Sequence, residues 1–318
     1  MNIWNDLAKK KIFSVLAPME DVTDTVFRQI LININARPDL FYTEFTNLEG
    51  FFSRGSQEVA HRLKYINEET PLIAQVWGLS PALYERGAKR VKEMGFDGID
   101  INMGCPVDKV IKKGACSALI KNPILAREII ESTQQGADGL PVSVKTRIGF
   151  NEIQTEEWIG HILTTRPNAL IVHTRTVKDL SKVPARWEEM KKVVKLRNEI
   201  SPSTVLVLNG DVTSVDLGEN LAKEYGFEGY MIGRGVFANP WVFNRDIDIN
   251  NVSVQDRIEL LKHHIELFRD TWGDEKNFII LKKYFKIYIS TYSGASEFRA
   301  KLMECNSYEE VLGCTSKL

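Results

Sequence analysis

Short apolar runs and amphipathic stretches alternate along the first 240 or so residues. FSVLAPM (13–19) is an apolar run closed by Pro18, and TDTVFRQILI (23–32) follows with helical spacing. LFYTEF (40–45), PLIAQVWG (71–78), GIDINMG (98–104), PVSVKTRIG (141–149), ALIVHTRT (169–176), TVLVLNGD (204–211) and GYMIGRGVF (229–237) read as the second to eighth strands. Ser80-Pro81 and Asn122-Pro123 carry the cap-then-proline signature of a helix start, and further helical stretches fall at about 156–164, 187–199 and 214–225. Strands alternating with helices in this way predict a parallel sheet with crossover helices. The count of eight points to a (β/α)8 TIM barrel, although a doubly wound sheet shares the pattern. The opening residues, MNIWNDLAKKK, read as a polar lead-in to the first strand. After residue 245 the texture changes: 245–256 is polar and linker-like, and only helical patterns follow. A barrel domain over 1–244 with a small all-helical domain over 245–318 is expected.

Composition changes this picture little. The chain has 318 residues, 43% hydrophobic and 26% charged, as in an ordinary globular protein. It shows no run of about 18 apolar residues to span a bilayer and no charged-then-apolar leader, so a cytoplasmic location without membrane contact is expected. The cysteines, Cys105, Cys116, Cys305 and Cys314, are few and irregularly spaced. They suggest a reducing compartment, with neither a disulfide framework nor a metal site. A net charge of −1 gives no overall basic footprint, so a nucleic-acid partner requires basic residues grouped on one face. Nothing indicates an obligate protein partner.

Candidate chemistry lies at the strand ends. Met19-Glu20 after Pro18, Glu44, Gln75, Asn102 with Cys105, Lys145 with Arg147, His173 with Arg175, Asn209-Gly210-Asp211 and Gly233-Arg234-Gly235 all stand at or just beyond a C-terminal end. Each alone has an ordinary explanation: a core thiol, a snorkelling lysine, a satisfied histidine. In a barrel these ends meet on one face, so together they predict one site. The glycine-bearing turns after strands seven and eight can offer backbone N–H groups to a phosphate. Lys145, His173 and Gln75 suit the polar edge of a flat ring bearing carbonyls. A phosphorylated flavin, FMN, fits this set better than a sugar phosphate. No G-x-G-x-x-G turn is present, so a built-in Rossmann site is not indicated.

These motifs resemble the tRNA-dihydrouridine synthase family. The matching stretches are APMEDVTD (17–24), TEF (43–45), QVWG (75–78), DINMGCPVDKVIKKGACSALIKNP (100–123), VSVKTRIG (142–149), VHTRT (172–176), LNGDV (208–212) and MIGRG (231–235), in the family's order. GDEKNFIILKKYFKIY and YSGASEFRAKL are similar to its C-terminal helical domain. The resemblance implies an FMN-bearing TIM barrel with a helical tRNA-binding domain, using NADPH to reduce the 5,6 double bond of particular uridines. It places Pro18, Met19 and Glu20 against the isoalloxazine ring and Gln75, Lys145 and His173 at its polar edge. It places Asn209, Gly210, Asp211, Gly233 and Arg234 around the phosphate, makes Cys105 the proton donor, and sets Asn102 and Arg175 against the substrate base. Two departures stand out. Cys116 occupies a position where the family more often has glycine or serine, which is expected to affect only local loop packing. VKDLSKVPARW (177–187) lacks the family's usual wording, so no contact is carried over from it.

The implied reaction agrees with the residues. Saturating a uracil 5,6 bond takes a hydride at C6 and a proton at C5. A reduced flavin stacked on the base can deliver the first. The second needs an acid still protonated near neutrality, and a thiol titrating at about 8.5 qualifies where a carboxylic acid does not. Asn102 can match the O4 and N3–H edge of uracil. Lys109, Lys112 and Lys113 after the Cys105 turn are expected to contact phosphates. So are Lys282, Lys283 and Lys286, interleaved with Tyr284, Phe285 and Tyr288. Two rivals share part of this pattern. An FMN barrel oxidoreductase of the dihydroorotate dehydrogenase type needs neither the helical tail nor these lysines, and a non-catalytic RNA-binding barrel would carry no flavin.

Overall fold

The computed structural model describes residues 2–290 and 292–316, apart from the side chains of Gln57 and Glu58. Met1, Thr291, Lys317 and Leu318, which fall within the expected domains, lie outside the described residues. The strands are β1 (Phe13–Leu16), β2 (Phe41–Tyr42), β3 (Thr46–Asn47), β4 (Leu72–Trp77), β5 (Gly98–Met103), β6 (Val142–Arg147), β7 (Ala169–His173), β8 (Val205–Asn209) and β9 (Gly229–Ile232). They form one parallel sheet in the order β1-β9-β8-β7-β6-β5-β4-β2, with β3 also on β4. A parallel bridge between Val15 and Leu40 joins the two ends and closes a TIM barrel. Of the expected second strand, 40–45, only β2 forms, and β3 follows it after a break. At the break the Thr43 hydroxyl accepts the Gln75 N–H at 3.1 Å, so a side-chain oxygen stands in for a ladder carbonyl.

Both faces of the strands are covered, which is why they read as apolar runs rather than clean alternations. Phe13, Val15, Tyr42, Ile73, Ala169, Ile171, Val205, Val207 and Met231 pack together inside the barrel. Residues between them, such as Leu72, Ile99, Val144, Leu170 and Leu206, pack in the outer layer with the helices. Trp4 joins the inner cluster with no exposed surface, its ring centroid 6.2 Å from Phe13 and 6.4 Å from Tyr42. It comes from a helix, Ile3–Ala8, capped by Asn2. The lead-in is therefore a helix that packs its tryptophan into the barrel core with Ile3, Leu7 and Ala8 against the same cluster, and four apolar residues over two turns are too short a run to stand out as periodic. Two residues beyond Ile73, Ile171 and Val207 stand Gln75, His173 and Asn209, while on β5 and β6 the inward positions are already polar, Asp100 then Asn102 and Ser143 then Lys145.

Beyond the barrel, Ser253 caps Val254–Trp272, followed by helical turns at Phe278–Leu281, Lys282–Tyr288, Ala295–Glu304 and Tyr308–Thr315. Phe268, Tyr284 and Tyr288 share one apolar cluster with Phe27 and Ile30 of helix Thr25–Asn33, the Phe27 and Tyr284 rings lying 5.6 Å apart. At this seam Lys276 is only 4% exposed. Its ammonium donates to Asp24 at 2.9 Å and to Glu44 at 3.0 Å, and sits 4.4 Å from the Trp272 ring. Trp272 Nε1 adds a bond to Asp24 at 2.9 Å. Burial works to raise both carboxyls. It prevails at Glu44, which reaches about 7, while Lys276 and the Phe27 N–H hold Asp24 below its ordinary value.

Removing the ammonium would leave these carboxylates buried without a cation. Lys276→Met should lower unfolding free energy by about 3–5 kcal/mol in urea titrations. Adding Asp24→Asn to that background should cost less than the two single changes summed. A Lys276→Met protein as stable as the parent would show that the ion cluster does not hold the seam.

Candidate active site

Strand β5 delivers the Cys105 turn to the barrel mouth. Asn102 Oδ1 accepts the N–H groups of Gly104 and Cys105, each at 3.0 Å, folding the strand end into a tight loop. Asn102 Nδ2 donates to Gln75 Oε1 at 3.0 Å, and Gln75 Nε2 donates to Asp100 at 2.7 Å. Asp100 also accepts from Ser143 at 2.6 Å and from the Tyr42 hydroxyl at 3.4 Å. Gln75 and Asp100 have no exposed surface, and burial lifts the Asp100 carboxyl to about 6. The amides expected at the edges of the ring and of the uracil are thus engaged with protein on both their oxygen and nitrogen. Spacing along a strand does not distinguish an amide aimed at a ligand from one folded back on its own turn.

Cys105 has a second thiol beside it. The Ser117 hydroxyl donates to the Cys105 carbonyl at 2.7 Å, which ties the 116–121 segment to the turn. Cys116, the residue before Ser117, is 1% exposed. Its thiol is the largest influence on Cys105 and lowers it to about 7 against the pull of burial, helped by the Val107 N–H and the charge of Arg147. Burial pushes Cys116 well above the ordinary thiol range. Cys116 therefore does more than pack a loop: it sets the acidity of its neighbour. Arg147 is fixed by bonds to the Gly104 carbonyl at 2.8 Å and the Thr176 carbonyl at 3.1 Å.

A cleft of about 300 Å³ opens where β7, β8 and β9 end, lined by His173, Arg175, the 209–213 turn, the 233–235 turn and Ala238. Gly210 has φ 119°, and a Cβ there would stand 2.8 Å from the Thr174 hydroxyl and 3.0 Å from the His173 ring. Only glycine lets the turn sit this close. The Thr174 hydroxyl is itself buried with no hydrogen-bond partner. Asp211 accepts from Arg175, from Arg234 at 3.2 Å and from the Ala185 N–H at 3.0 Å. Lys145 donates to Asn209 at 3.1 Å, and Asn209 to the Met231 carbonyl at 2.9 Å. Burial and then the neighbouring Arg147 lower Lys145 to about 8. Burial and the surrounding cations push His173 well below its usual value, so its imidazole is neutral. Lys145, Arg147, Arg175 and Arg234 outweigh Asp211, an excess that an anion would neutralise.

Arg175, expected at the substrate base, is built into this cleft. It is 2% exposed and donates to the Val183 carbonyl at 2.6 Å as well as to Asp211. The 177–187 loop, whose contacts the resemblance left open, braces the cleft through Val183 and Ala185. Thr213 and Ala238 also line it, small residues with no distinctive sequence signal.

On the adjoining β1 side, Met19 Sδ lies 3.9 Å from where a Gly233 Cβ would stand, and Glu20 pairs with Arg62 Nε at 2.9 Å. Glu20, Asp21 and Glu44 bring carboxylate oxygens within 4.8 Å of one another, with Arg62, Lys283 and Lys276 as their counter-ions. Lys109, Lys112 and Lys113 are exposed just past Cys105. The C-terminal lysines diverge. Lys282 caps the Met303 carbonyl at 2.7 Å, Lys283 pairs with Asp21 at 2.7 Å, and Lys286 is exposed. Tyr284, Phe285 and Tyr288, read as interleaved with these lysines, are core residues.

Comparison with known proteins matches a family model described as dihydrouridine synthase (Dus) to residues 15–317. The chain is 44% identical over 312 residues to a Staphylococcus aureus (strain MRSA252) protein named "Probable tRNA-dihydrouridine synthase", covering 97% of this chain and 93% of that one. It is 41% identical over 313 residues to "Probable tRNA-dihydrouridine synthase 2" of Bacillus subtilis (strain 168), covering 98% and 94%.

The influence of Cys116 on Cys105 makes a pH prediction. Cys116→Ala removes that thiol, so the Cys105 pKa should rise from about 7 toward the ordinary thiol range. Iodoacetamide labelling of Cys105, followed by peptide mass spectrometry across pH, should show an alkaline shift of the midpoint in the variant. An unmoved midpoint would remove Cys116 as the cause.

Proposed function

The chain belongs to the dihydrouridine synthase family, and we propose that it reduces the 5,6 double bond of uridines in tRNA, with FMN as resident cofactor, NADPH as reductant and Cys105 as proton donor. The observation behind this is that a cationic, glycine-walled cleft and a thiol of lowered pKa share one barrel mouth. The residues present fit FMN. Backbone N–H groups of Gly210, Asp211, Gly233 and Arg234, with the Arg234 guanidinium, would hold its phosphate, and the unpartnered Thr174 hydroxyl lies beside them. Lys145 and His173 would meet the polar edge of the ring, and Pro18, Met19 and Glu20 would border it. When bound and reduced, FMN supplies the hydride taken up at C6 of the uracil.

The chain's own part is the proton. Cys105 gives it to C5, and the thiolate left behind is stabilised by the Cys116 thiol, the Val107 N–H and the charge of Arg147. With a pKa of about 7 it is a stronger acid than an ordinary thiol yet keeps much of its proton at neutral pH. Asn102 fixes the height of this turn. Lys109, Lys112 and Lys113, beside it, and Lys286, on the helical region 245–318, are placed to contact tRNA phosphates. A cytoplasmic location suits this substrate. Among the described residues, no helix is long and apolar enough to cross a membrane.

Cys105→Ala should bind FMN and tRNA and let NADPH reduce the flavin, while single-turnover dihydrouridine formation falls by roughly 10²–10⁴-fold. The wild-type rate should decline as pH rises above about 7, as the thiol loses its proton, with the midpoint displaced upward where an anion fills the cleft. Product formed by Cys105→Ala at the parental rate, or a purified protein that reconstitutes with no flavin, would overturn the proposal. Charge reversal of Lys109, Lys112 and Lys113 together should weaken tRNA binding and flatten its salt dependence without changing flavin content.

A further inference from the structure

We infer that Tyr284 is a positioning residue for the cofactor site: its hydroxyl, reaching in from the C-terminal helical region, holds the 18–24 loop that borders the cleft. This deepens the proposed activity, and it rests on that proposal only where FMN is the probe. The NFIILKKYFKIY stretch folds as Phe278–Leu281 followed by Lys282–Tyr288. Lys283 and Lys286 are exposed, while Tyr284, Phe285 and Tyr288 are buried. Tyr284 has no exposed surface, and its ring lies 5.6 Å from Phe27 and 4.3 Å from His264. So held, its hydroxyl donates to the Val22 carbonyl at 2.6 Å, with the Asp21 carbonyl also within reach at 3.3 Å.

The loop is braced as one unit. The Met19 carbonyl accepts the N–H groups of Val22 at 3.1 Å and Thr23 at 3.0 Å, and the Thr23 hydroxyl accepts the Met19 N–H at 2.8 Å. Asp21, at the tip, has φ 54°, a left-handed conformation that a residue other than glycine keeps only where its surroundings fix it. Three groups fix it here. Glu44 accepts the Asp21 N–H at 2.6 Å, Lys283 pairs with the Asp21 carboxylate at 2.7 Å, and Tyr284 takes up the Val22 carbonyl. Lys283 is half exposed and its pair is screened by water, so the buried hydroxyl is the firmer hold from the helical side. At the other end of the turn, Met19 places its sulfur against the Gly233 turn of the cleft. A shift at Val22 is therefore passed through backbone hydrogen bonds to Met19 and Glu20.

Tyr288 supplies a matched comparison one helical turn away. It too has no exposed surface, and its hydroxyl bonds with His264 Nδ1 at 2.6 Å. That bond stays within the helical region, because His264 belongs to Val254–Trp272. Removing either hydroxyl takes one buried hydrogen bond from the same cluster, so both should cost stability. Only the Tyr284 bond reaches the 18–24 loop, so only its loss should be felt at the cleft.

Full-length Tyr284→Phe and Tyr288→Phe proteins are compared with the parent by hydrogen exchange without flavin and by titration with FMN. Both variants should melt a few degrees below the parent. Only Tyr284→Phe should exchange faster at the amides of residues 19–24, by roughly three- to ten-fold. Only Tyr284→Phe should raise the FMN dissociation constant, again by roughly three- to ten-fold, and alter the visible circular dichroism of the bound flavin. Faster exchange at 19–24 in both variants, or in neither, would overturn the positioning role, as would parental FMN affinity in Tyr284→Phe. A parent that takes up no FMN would overturn the flavin proposal instead, and the exchange measurement would still decide whether Tyr284 holds the loop.

Discussion

A carboxylate buried inside the barrel sets the geometry of its mouth. Asp100 has no exposed surface and no paired cation in hydrogen-bond contact, and is satisfied by Gln75, Ser143 and Tyr42. An unpaired buried carboxylate would be prohibitive, so these donors are obligatory. Once Gln75 is committed to Asp100 through its nitrogen, its oxygen can only accept, and it accepts from Asn102. Asn102 is thereby left with its oxygen toward the mouth, where it gathers the N–H groups of Gly104 and Cys105. The position of the thiol follows from the barrel interior through a chain of forced hydrogen-bond polarities. A reactive group built this way is held by the scaffold rather than by a loop.

The C-terminal helices reach the same mouth by a different route. Lys276 touches Glu44 through one carboxylate oxygen, and the other oxygen of Glu44 accepts the Asp21 N–H at 2.6 Å. Tyr284 adds a bond from its hydroxyl to the Val22 carbonyl at 2.6 Å. The 18–24 loop that borders the cleft is therefore positioned jointly by β2, β3 and the helical region. A tRNA docked on those helices would sit on elements that also hold the loop bordering the cleft.

Period and turn chemistry made the staves of the barrel and the cleft legible. Apolar runs at regular intervals need only local reading, and glycines at 210 and 233 report close approach directly. Features that depend on a partner distant in sequence were not legible. Trp4 has meaning only against Phe13 and Tyr42, the break at Thr43 only against Gln75, and Lys276 only against Asp24 and Glu44. Arg175 was read from its place at a strand end, but the acid that captures it lies 36 residues later. Cys116 was the nearest miss. Its φ of 53° and the tie of its neighbour Ser117 to Cys105 come from the fold of the intervening segment, though a thiol at a position favouring glycine was itself a visible oddity.

The cations around the cleft connect its two chemistries. Burial is the largest influence on Lys145 and His173, and the positive field of the arginines pushes both further down. The same field, through Arg147, helps hold Cys105 low. An anion bound at the Gly210 and Gly233 turns would offset that field, and the direction of every response follows from sign alone. Lys145 would move up and be more fully charged beside Asn209, giving a firmer cationic edge. Cys105 would move up as well, because a thiolate loses stabilisation when neighbouring positive charge is neutralised. The thiol would then keep more of its proton when the cleft is filled than when it is empty. A thiol so arranged keeps its proton best when the anion is in place and is most ionised when the cleft stands empty.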